Sequence, residues 1–332
     1  MQIWLSVIIP VYNGARCIAD MAASIDRQRM DGVEVLFIND GSTDDSAALL
    51  DSLPEKYGAY IRVLHRQNAG VAAARNHGLA HARGKYISFA DIGDVLSPSY
   101  LDSLFRATQA GSFELFVFER CRAHAGEKPF AGMHQPLKFA RILPEDLLSM
   151  FLRNPARYGV YNMLLSADYI RRAGLCFPEG YAYYEDYDFF VRALIGTQQL
   201  LHTEAQLYCY MQRENSAMMC FNRARLDCMK LLDPLAKAVA KDCPKVAKRF
   251  SKWFSARIYW SVLWQAAAAL PSRKEAAAFA RKTGAKDYMT RLHDYPVPKV
   301  WGTARLYRIC PPLYLHLARY LGRRRSKVRP GG

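Results

Sequence analysis

An α/β domain, a sheet flanked by helices, followed by a helical and basic C-terminal extension, is the fold class that this 332-residue sequence predicts. Three observations predict it. Short β-rich runs alternate with amphipathic helical stretches through the first hundred residues, the pattern of a parallel sheet covered by helices. The residues with chemical potential fall at the ends of those runs, where ligands bind in such sheets. From about residue 221 the strand pattern stops and Ala-rich helical stretches take over.

The elements follow in order. "LSVIIP" (5–10) is the first strand. The segment before it has no basic n-region, and its apolar run is broken at Pro10 and Asn13, so it reads as a strand and not as a signal peptide. Ile18, Met21, Ala22 and Ile25 then recur at the spacing of a helix with one buried face. "VEVLFIND" (33–40) is the second strand; it ends in Asp40-Gly41-Ser42, and a helix starts at about Asp44. "IRVLH" (61–65) is the third, a helix spans about Gly70 to Ala82, and "KYISFAD" is the fourth. In the last third, "WSVLWQAAAAL" and "SRKEAAAFARK" are helices parted at Pro271 and Ser272. Trp253, Phe254, Tyr259, Trp260, Leu263 and Trp264 are dense enough there to require burial against the first domain, or an acceptor or dimer surface.

Composition narrows the classes. A 51% hydrophobic content suits one large or two ordinary domains. The eight cysteines are scattered, with no CxxC pair and no histidine spacing suited to zinc, which predicts reduced thiols in the cytosol. No run approaches the roughly 18 apolar residues of a transmembrane helix. Walker A and GxGxxG motifs are absent, which removes the main support for P-loop and dinucleotide-dehydrogenase readings. The net charge is +16, and nine cations (Lys299, Arg305, Arg308, Arg319, Arg323, Arg324, Arg325, Lys327 and Arg329) follow the last acidic residue, Asp294. They are interleaved with Trp301, Tyr307, Tyr314, Tyr320 and several leucines, a mixture suited to an anionic membrane surface. A solvated basic tail is the second reading; nucleic acid comes third, since no nucleic-acid motif accompanies the charge.

Four stretches, "SVIIPVYNG", "NDGSTDDS", "NAGVAAARNHGLAHARGKYISFAD" and "YYEDYDFFVRAL", together resemble the ordered motifs of the family 2 glycosyltransferases, covering about residues 4–216. That resemblance implies the GT-A fold, a Rossmann-like mixed sheet flanked by helices. Residues 1–95 would be its nucleotide-sugar-binding half and 96–220 its acceptor-binding and catalytic half, with 221–332 as the helical, basic extension.

The resemblance also implies roles. Pro10 and Tyr12 would lie at the nucleotide, with Tyr12 stacked on uracil; Asp40 would accept from the uracil N3–H. Arg75 would support the base and diphosphate side. Asp91 opens a DxD-like segment, but Gly93 stands where the second carboxylate is usual. Two outcomes follow. Either Asp91 and Asp94 hold Mn²⁺ or Mg²⁺, Asp94 rotating into the vacancy, or the site is metal-independent and cations offset the diphosphate charge. Asp186, in the EDxxFxxRxL pattern, would be the general base; Glu185 would orient the acceptor or its loop. Arg213, in "YMQREN", would make a second diphosphate or acceptor contact, and Met163 sits where a lysine is frequent.

The expected protein is an inverting hexosyltransferase, cytoplasmic and peripheral on the inner membrane. It would take a UDP-sugar donor and a lipid-linked or lipopolysaccharide glycan acceptor, in lipopolysaccharide, capsule or exopolysaccharide synthesis. A non-catalytic nucleotide-sugar-binding protein with a degenerate metal motif is the rival; the complete EDxxFxxRxL pattern favours the enzyme.

Overall fold

The computed structural model describes residues 2–28, 30–133, 135–212 and 221–327, and the chain divides into two units, Met1–Arg213 and Glu214–Gly332. In the first unit the order is β1 (Leu5–Val11), α1 (Ala15–Asp26), β2 (Val33–Asp40), α2 (Ser46–Asp51), α3 (Leu53–Tyr57), β3 (Ile61–Arg66), α4 (Val71–His81) and β4 (Tyr86–Phe89). It continues with β5 (Val95–Leu96), α5 (Tyr100–Gln109), β6 (Leu115–His124), β7 (Ala140–Arg141), α6 (Pro144–Arg153), β8 (Met163–Ser166), α7 (Ala167–Arg172), α8 (Glu185–Gly196) and β9 (Leu200–Gln212).

All nine strands join one mixed sheet in the order β3-β2-β1-β4-β8-β6-β9-β5, with β7 on β9. Strands β1 to β4 are mutually parallel, as the alternation predicts. Strand β8 runs antiparallel to both β4 and β6, so β6 again points the same way as β4. The carboxyl ends of β1, β2, β4 and β6 therefore share one edge. Strands β1, β2 and β4 are buried throughout, which explains why they read as unbroken apolar runs and not as alternating ones. The stripe Ile18, Met21, Ala22 and Ile25 of α1 joins the core beside them. Helix α4 packs closely on β1: a Cβ at Gly78 would lie 2.5 Å from the Cγ2 of Ile8.

At the opposite edge, buried Glu34 closes the strands. Its carboxylate accepts from Ser6 (2.6 Å), Arg62 (2.8 Å) and the Arg83 N–H (2.7 Å), a network that completes the hydrogen bonding of a buried charge. That edge is structural, and the other one is left for chemistry.

The second unit is helical: α9 (Met229–Asp242), α10 (Pro244–Ala269), α11 (Arg273–Lys282), α12 (Ala285–Arg291), α13 (Pro298–Ile309) and α14 (Pro311–Lys327). The break expected at Pro271 and Ser272 is present; the Ser272 hydroxyl caps α11 by accepting from the Glu275 N–H at 3.1 Å. Helix α10 is the central element, and its Tyr259, Trp260 and Leu263 pack with Phe279, Met289, Tyr307 and Tyr314 in a core of this unit's own. The aromatic density of α10 thus has an internal explanation. No described helix is long and apolar enough to cross a membrane.

Candidate active site

Two loops are laced together at the carboxyl edge. Asn13 takes a left-handed conformation (φ 50°), one that asparagine tolerates, and its Oδ1 accepts from the Thr43 N–H at 2.8 Å. Its own N–H donates to the Ser42 hydroxyl at 3.0 Å, and the Ala15 and Ser46 N–H groups both donate to Asp44. Pro10 sits buried within β1, and Tyr12, just beyond it, is held with its side chain 53% exposed.

Asp40, at the end of β2, is buried. Its Oδ2 accepts from the Gly70 N–H (2.8 Å) and its Oδ1 from the Ala69 N–H (3.2 Å), with Arg66 at 3.5 Å. It latches the β3–α4 loop, leaving one further lone pair on an oxygen for any ligand N–H.

Arg75 is the hub. Its guanidinium, 3% exposed, donates through Nη2 to Asp91 (2.8 Å) and through Nη1 to Glu185 (3.0 Å), and lies 5.3 Å from the Phe177 ring centroid. Burial works against its charge, but Asp91 and Glu185 outweigh burial and raise its pKa. Two of its donors go to these carboxylates and its Nε is buried without a partner, so it links Asp91 to Glu185 beside the position where the resemblance implied support of the base and diphosphate side. The neighbouring Asn76 clasps the 177–179 segment: it accepts from the Phe177 N–H (2.8 Å) and donates to the Phe177 carbonyl (2.9 Å) and to Glu179 (2.8 Å). Phe177 in turn stacks on Phe189 of α8 at 4.0 Å, so α4 fixes where α8 begins.

Helix α8 begins at Glu185, after Tyr184 in a left-handed conformation (φ 66°) that a tyrosine seldom takes. Asp186 follows, half-buried, accepting from the Tyr187 N–H at 2.9 Å. Burial and then the adjacent Glu185 carboxylate, against the opposing pull of Arg75, push the Asp186 carboxyl up to about 7. A carboxylate with a pKa near neutrality is matched to taking a proton from an alcohol.

Asp94 does not turn toward Asp91. Gly93 has φ +89° at the third position of an Asp91–Asp94 turn closed by a 3.2 Å backbone bond, a geometry that favours glycine. Asp94 leaves that turn toward β9, accepting from the Tyr208 hydroxyl (2.7 Å) and the Met211 N–H (3.0 Å). The Tyr208 oxygen also accepts from the Asp91 N–H at 3.0 Å, so one tyrosine ties both acids to β9. Burial and then Asp94 hold the Tyr208 phenol well above its usual range, keeping it a donor. Among the described residues no cluster of three acidic, histidine or cysteine side chains could hold a metal ion. The donor set fits an ion held by the single carboxylate of Asp91 together with ligand phosphates, and not a protein cage.

Met163 lies buried in β8, and Arg213 falls outside the described residues. Tyr208, Asn76 and Tyr161, which stacks on Tyr208 at 5.1 Å, are site residues that the sequence did not single out. Tyr208 lies in a stretch without a motif; Tyr161 stood two residues before Met163 in the acceptor-side stretch, and Asn76 beside Arg75 in "AARN".

The comparisons bear on the fold and the family. Residues 6–166 match the family model "Glycosyl transferase family 2". The uncharacterized glycosyltransferase EpsJ of Bacillus subtilis (strain 168) is 26% identical over 216 residues, 64% of this chain and 62% of EpsJ. The crystal structure of S. aureus TarS 1-349 in complex with UDP-GlcNAc superposes with a TM-score of 0.63 at 17% identity, covering 97% of this chain and 92% of that one. The mannosyltransferase PcManGT from Pyrobaculum calidifontis, in complex with GDP-Man and Mn²⁺, gives 0.54 at 16% identity, covering 97% and 87%. The chain spans less than two thirds of the length of the curated relatives it matches. The mixed sheet, its helical cover and the solved neighbours define a GT-A fold. Residues 6–166 carry a family 2 glycosyltransferase domain.

Proposed function

We propose that the protein is an inverting glycosyltransferase that moves a sugar from a UDP-sugar onto a hydroxyl of a bacterial surface-glycan acceptor. The observation that carries this is Asp186 at the start of α8, its carboxyl pushed up to about 7 beside the Glu185–Arg75–Asp91 chain at the carboxyl edge of the sheet. In the reaction, Asp186 takes the proton of the acceptor hydroxyl as its oxygen bonds to the sugar C1. The C1–O bond to the diphosphate breaks with its electron pair, and the configuration at C1 inverts. The exposed Tyr12 ring is the stacking surface for the base, a contact worth about 1 to 3 kcal/mol. Asp40 offers its remaining lone pair to the uracil N3–H.

Residues 1–95 serve the donor in this reading, and 96–220 the acceptor. UDP is preferred because TarS is a fold neighbour solved with UDP-GlcNAc; PcManGT, solved with GDP-Man, keeps a guanosine donor as the comparison to run. A divalent ion shared between Asp91 and the diphosphate would supply electrophilic stabilisation of the departing phosphate. In the second unit, exposed Ile309, Leu313, Tyr320 and Leu321 lie on α13 and α14 with exposed Arg305 and Arg308, a face suited to an anionic inner-membrane surface that carries a lipid-linked acceptor.

The test is release of nucleotide from a panel of UDP- and GDP-sugars, with and without Mn²⁺, by wild type and Asp186→Asn. Turnover of a UDP-sugar that Asp186→Asn loses supports the reading. Nucleotide binding with no turnover on any acceptor extract would leave a binding protein instead.

A further inference from the structure

We propose that Arg120 and Arg122 form an oxyanion-binding subsite on the acceptor side of the site, so that the acceptor carries a phosphate or carboxylate close to the hydroxyl that is glycosylated. The inference rests on the glycosyltransferase reading and extends it to the class of acceptor.

The two arginines are two residues apart on β6, so their side chains leave the same face of the sheet. Each donates an Nη2 to one carbonyl, that of Ala156, at 3.1 Å for Arg122. The Arg120 guanidinium carbon lies 5.2 Å from the Tyr161 ring centroid and 5.1 Å from that of Tyr210. Those rings lie against the guanidinium without using its N–H donors. Its Nε and Nη1 are buried with no hydrogen-bond partner, and no ion pair is made by either arginine among the described residues. Two like charges this close repel; Arg122 is exposed as a residue, but packing around its guanidinium and then the Arg120 charge depress its pKa. Buried unpaired donors are costly, and an oxyanion matches the fork of an arginine.

The place of the pair selects the acceptor over the donor. Ile87, Leu165 and Leu115 stand side by side across β4, β8 and β6, so Arg120 reaches the same carboxyl edge as Asp91, about one residue further along and two strands away. That is about 10 Å, on the side opposite β1 and β2, where Tyr12 and Asp40 lie. Tyr161 links the two: it contacts Arg120 and Tyr208, and its phenol, raised chiefly by burial, also feels the charges of Arg120, Asp186, Asp91 and Asp94.

The experiment follows arginine side-chain Nε–Hε NMR signals of the full chain during separate titrations with methyl phosphate and methyl glucuronoside. The Arg120 signal is assigned by its loss in Arg120→Lys. Its saturable shift with either anion is the expected result, and which anion acts separates a phosphodiester acceptor from a uronic-acid one. Arg122→Gln, at an exposed position, should weaken that binding by about tenfold or more while UDP affinity, measured by calorimetry, is unchanged. Silence of the Arg120 signal toward both anions overturns the proposal, as does displacement of the bound anion by UDP. Failure of the underlying reading shows separately, as no turnover of any UDP-sugar by the wild-type protein, whatever the arginines do.

Discussion

Arg75 and Glu185 stand 110 residues apart in the sequence and are joined by a 3.0 Å hydrogen bond between buried side chains. Since Arg75 also holds Asp91, one guanidinium sets the distance between the carboxyl end of β4 and the helix start that carries Asp186. The acids of the two halves are thereby positioned before any ligand arrives.

Removing that cation leaves Glu185 buried and uncompensated. Arg75→Ala should destabilise the protein by about 3 kcal/mol, the usual result of breaking a buried pair. Glu185→Gln, which keeps an oxygen to accept the Arg75 hydrogen, should cost about 1 kcal/mol. Urea midpoints of the two variants measure this; equal losses would mean that Arg75 is not the organising charge.

Asp186 predicts opposite effects on rate and stability. Asp186→Asn should lower transfer by about 10²- to 10⁴-fold. Its folded pKa of about 7 lies above the unfolded value, so the folded state keeps a proton that the unfolded chain has already released. Wild-type stability relative to Asp186→Asn should therefore fall as pH rises from about 4 to about 7 and level off above that. Over the same range activity should rise, with an acid limb near pH 7 that Glu185→Gln moves downward by removing a repelling charge. Paired pH series of rate and melting temperature check both; a limb that stays near 4 would remove Asp186 from the base role.

Asp91 and Asp94 should separate in a metal titration. Asp94 binds β9, so Asp94→Asn should leave the Mn²⁺ dependence of UDP binding unchanged, while Asp91→Asn should abolish it. Asp94→Ala should cost about 1 to 3 kcal/mol of stability, by orphaning the Tyr208 hydroxyl and the Met211 N–H. Tyr208→Phe should remove most of that further loss if the pair acts as a unit. Calorimetry with Mn²⁺ or EDTA decides the first part. Loss of metal dependence in Asp94→Asn would restore Asp94 as a ligand.

These outcomes also show what local pattern carries. The predicted strands at 5–10, 33–40 and 61–65 match β1, β2 and β3 within a residue, and the helix expected at Gly70–Ala82 is α4. Buried parallel strands and one-sided helices write their periodicity into the sequence. Asp94 was legible as a strand-end acid but not as a β9 ligand, because its partner Tyr208 is 114 residues away. The same holds for Arg75: its presence in "AARN" was visible, but whether its donors face a ligand or Glu185 is a tertiary fact. Arg120 and Arg122 carried no motif at all; only the pairing of β6 with β8 and of β8 with β4 brings them to the same sheet edge as Asp91.

The membrane face needs a test that respects the second unit's core. Tyr307, Tyr314, Leu315 and Ala318 are buried there, so cutting the chain near residue 300 would expose the core and report unfolding. Ile309 and Leu313, 72% and 51% exposed, are free of that objection. Burying a large aliphatic side chain is worth about 1.5 to 3 kcal/mol, so Ile309→Ser with Leu313→Glu should weaken binding to anionic vesicles by about a hundredfold while the melting temperature holds. Arg305→Gln with Arg308→Gln should weaken it at low salt by about 1 kcal/mol per charge and matter less as salt rises. Co-sedimentation with phosphatidylglycerol vesicles measures both. If neither pair of substitutions changes partitioning, α13 and α14 do not meet a membrane, and the basic residues are a solvated surface.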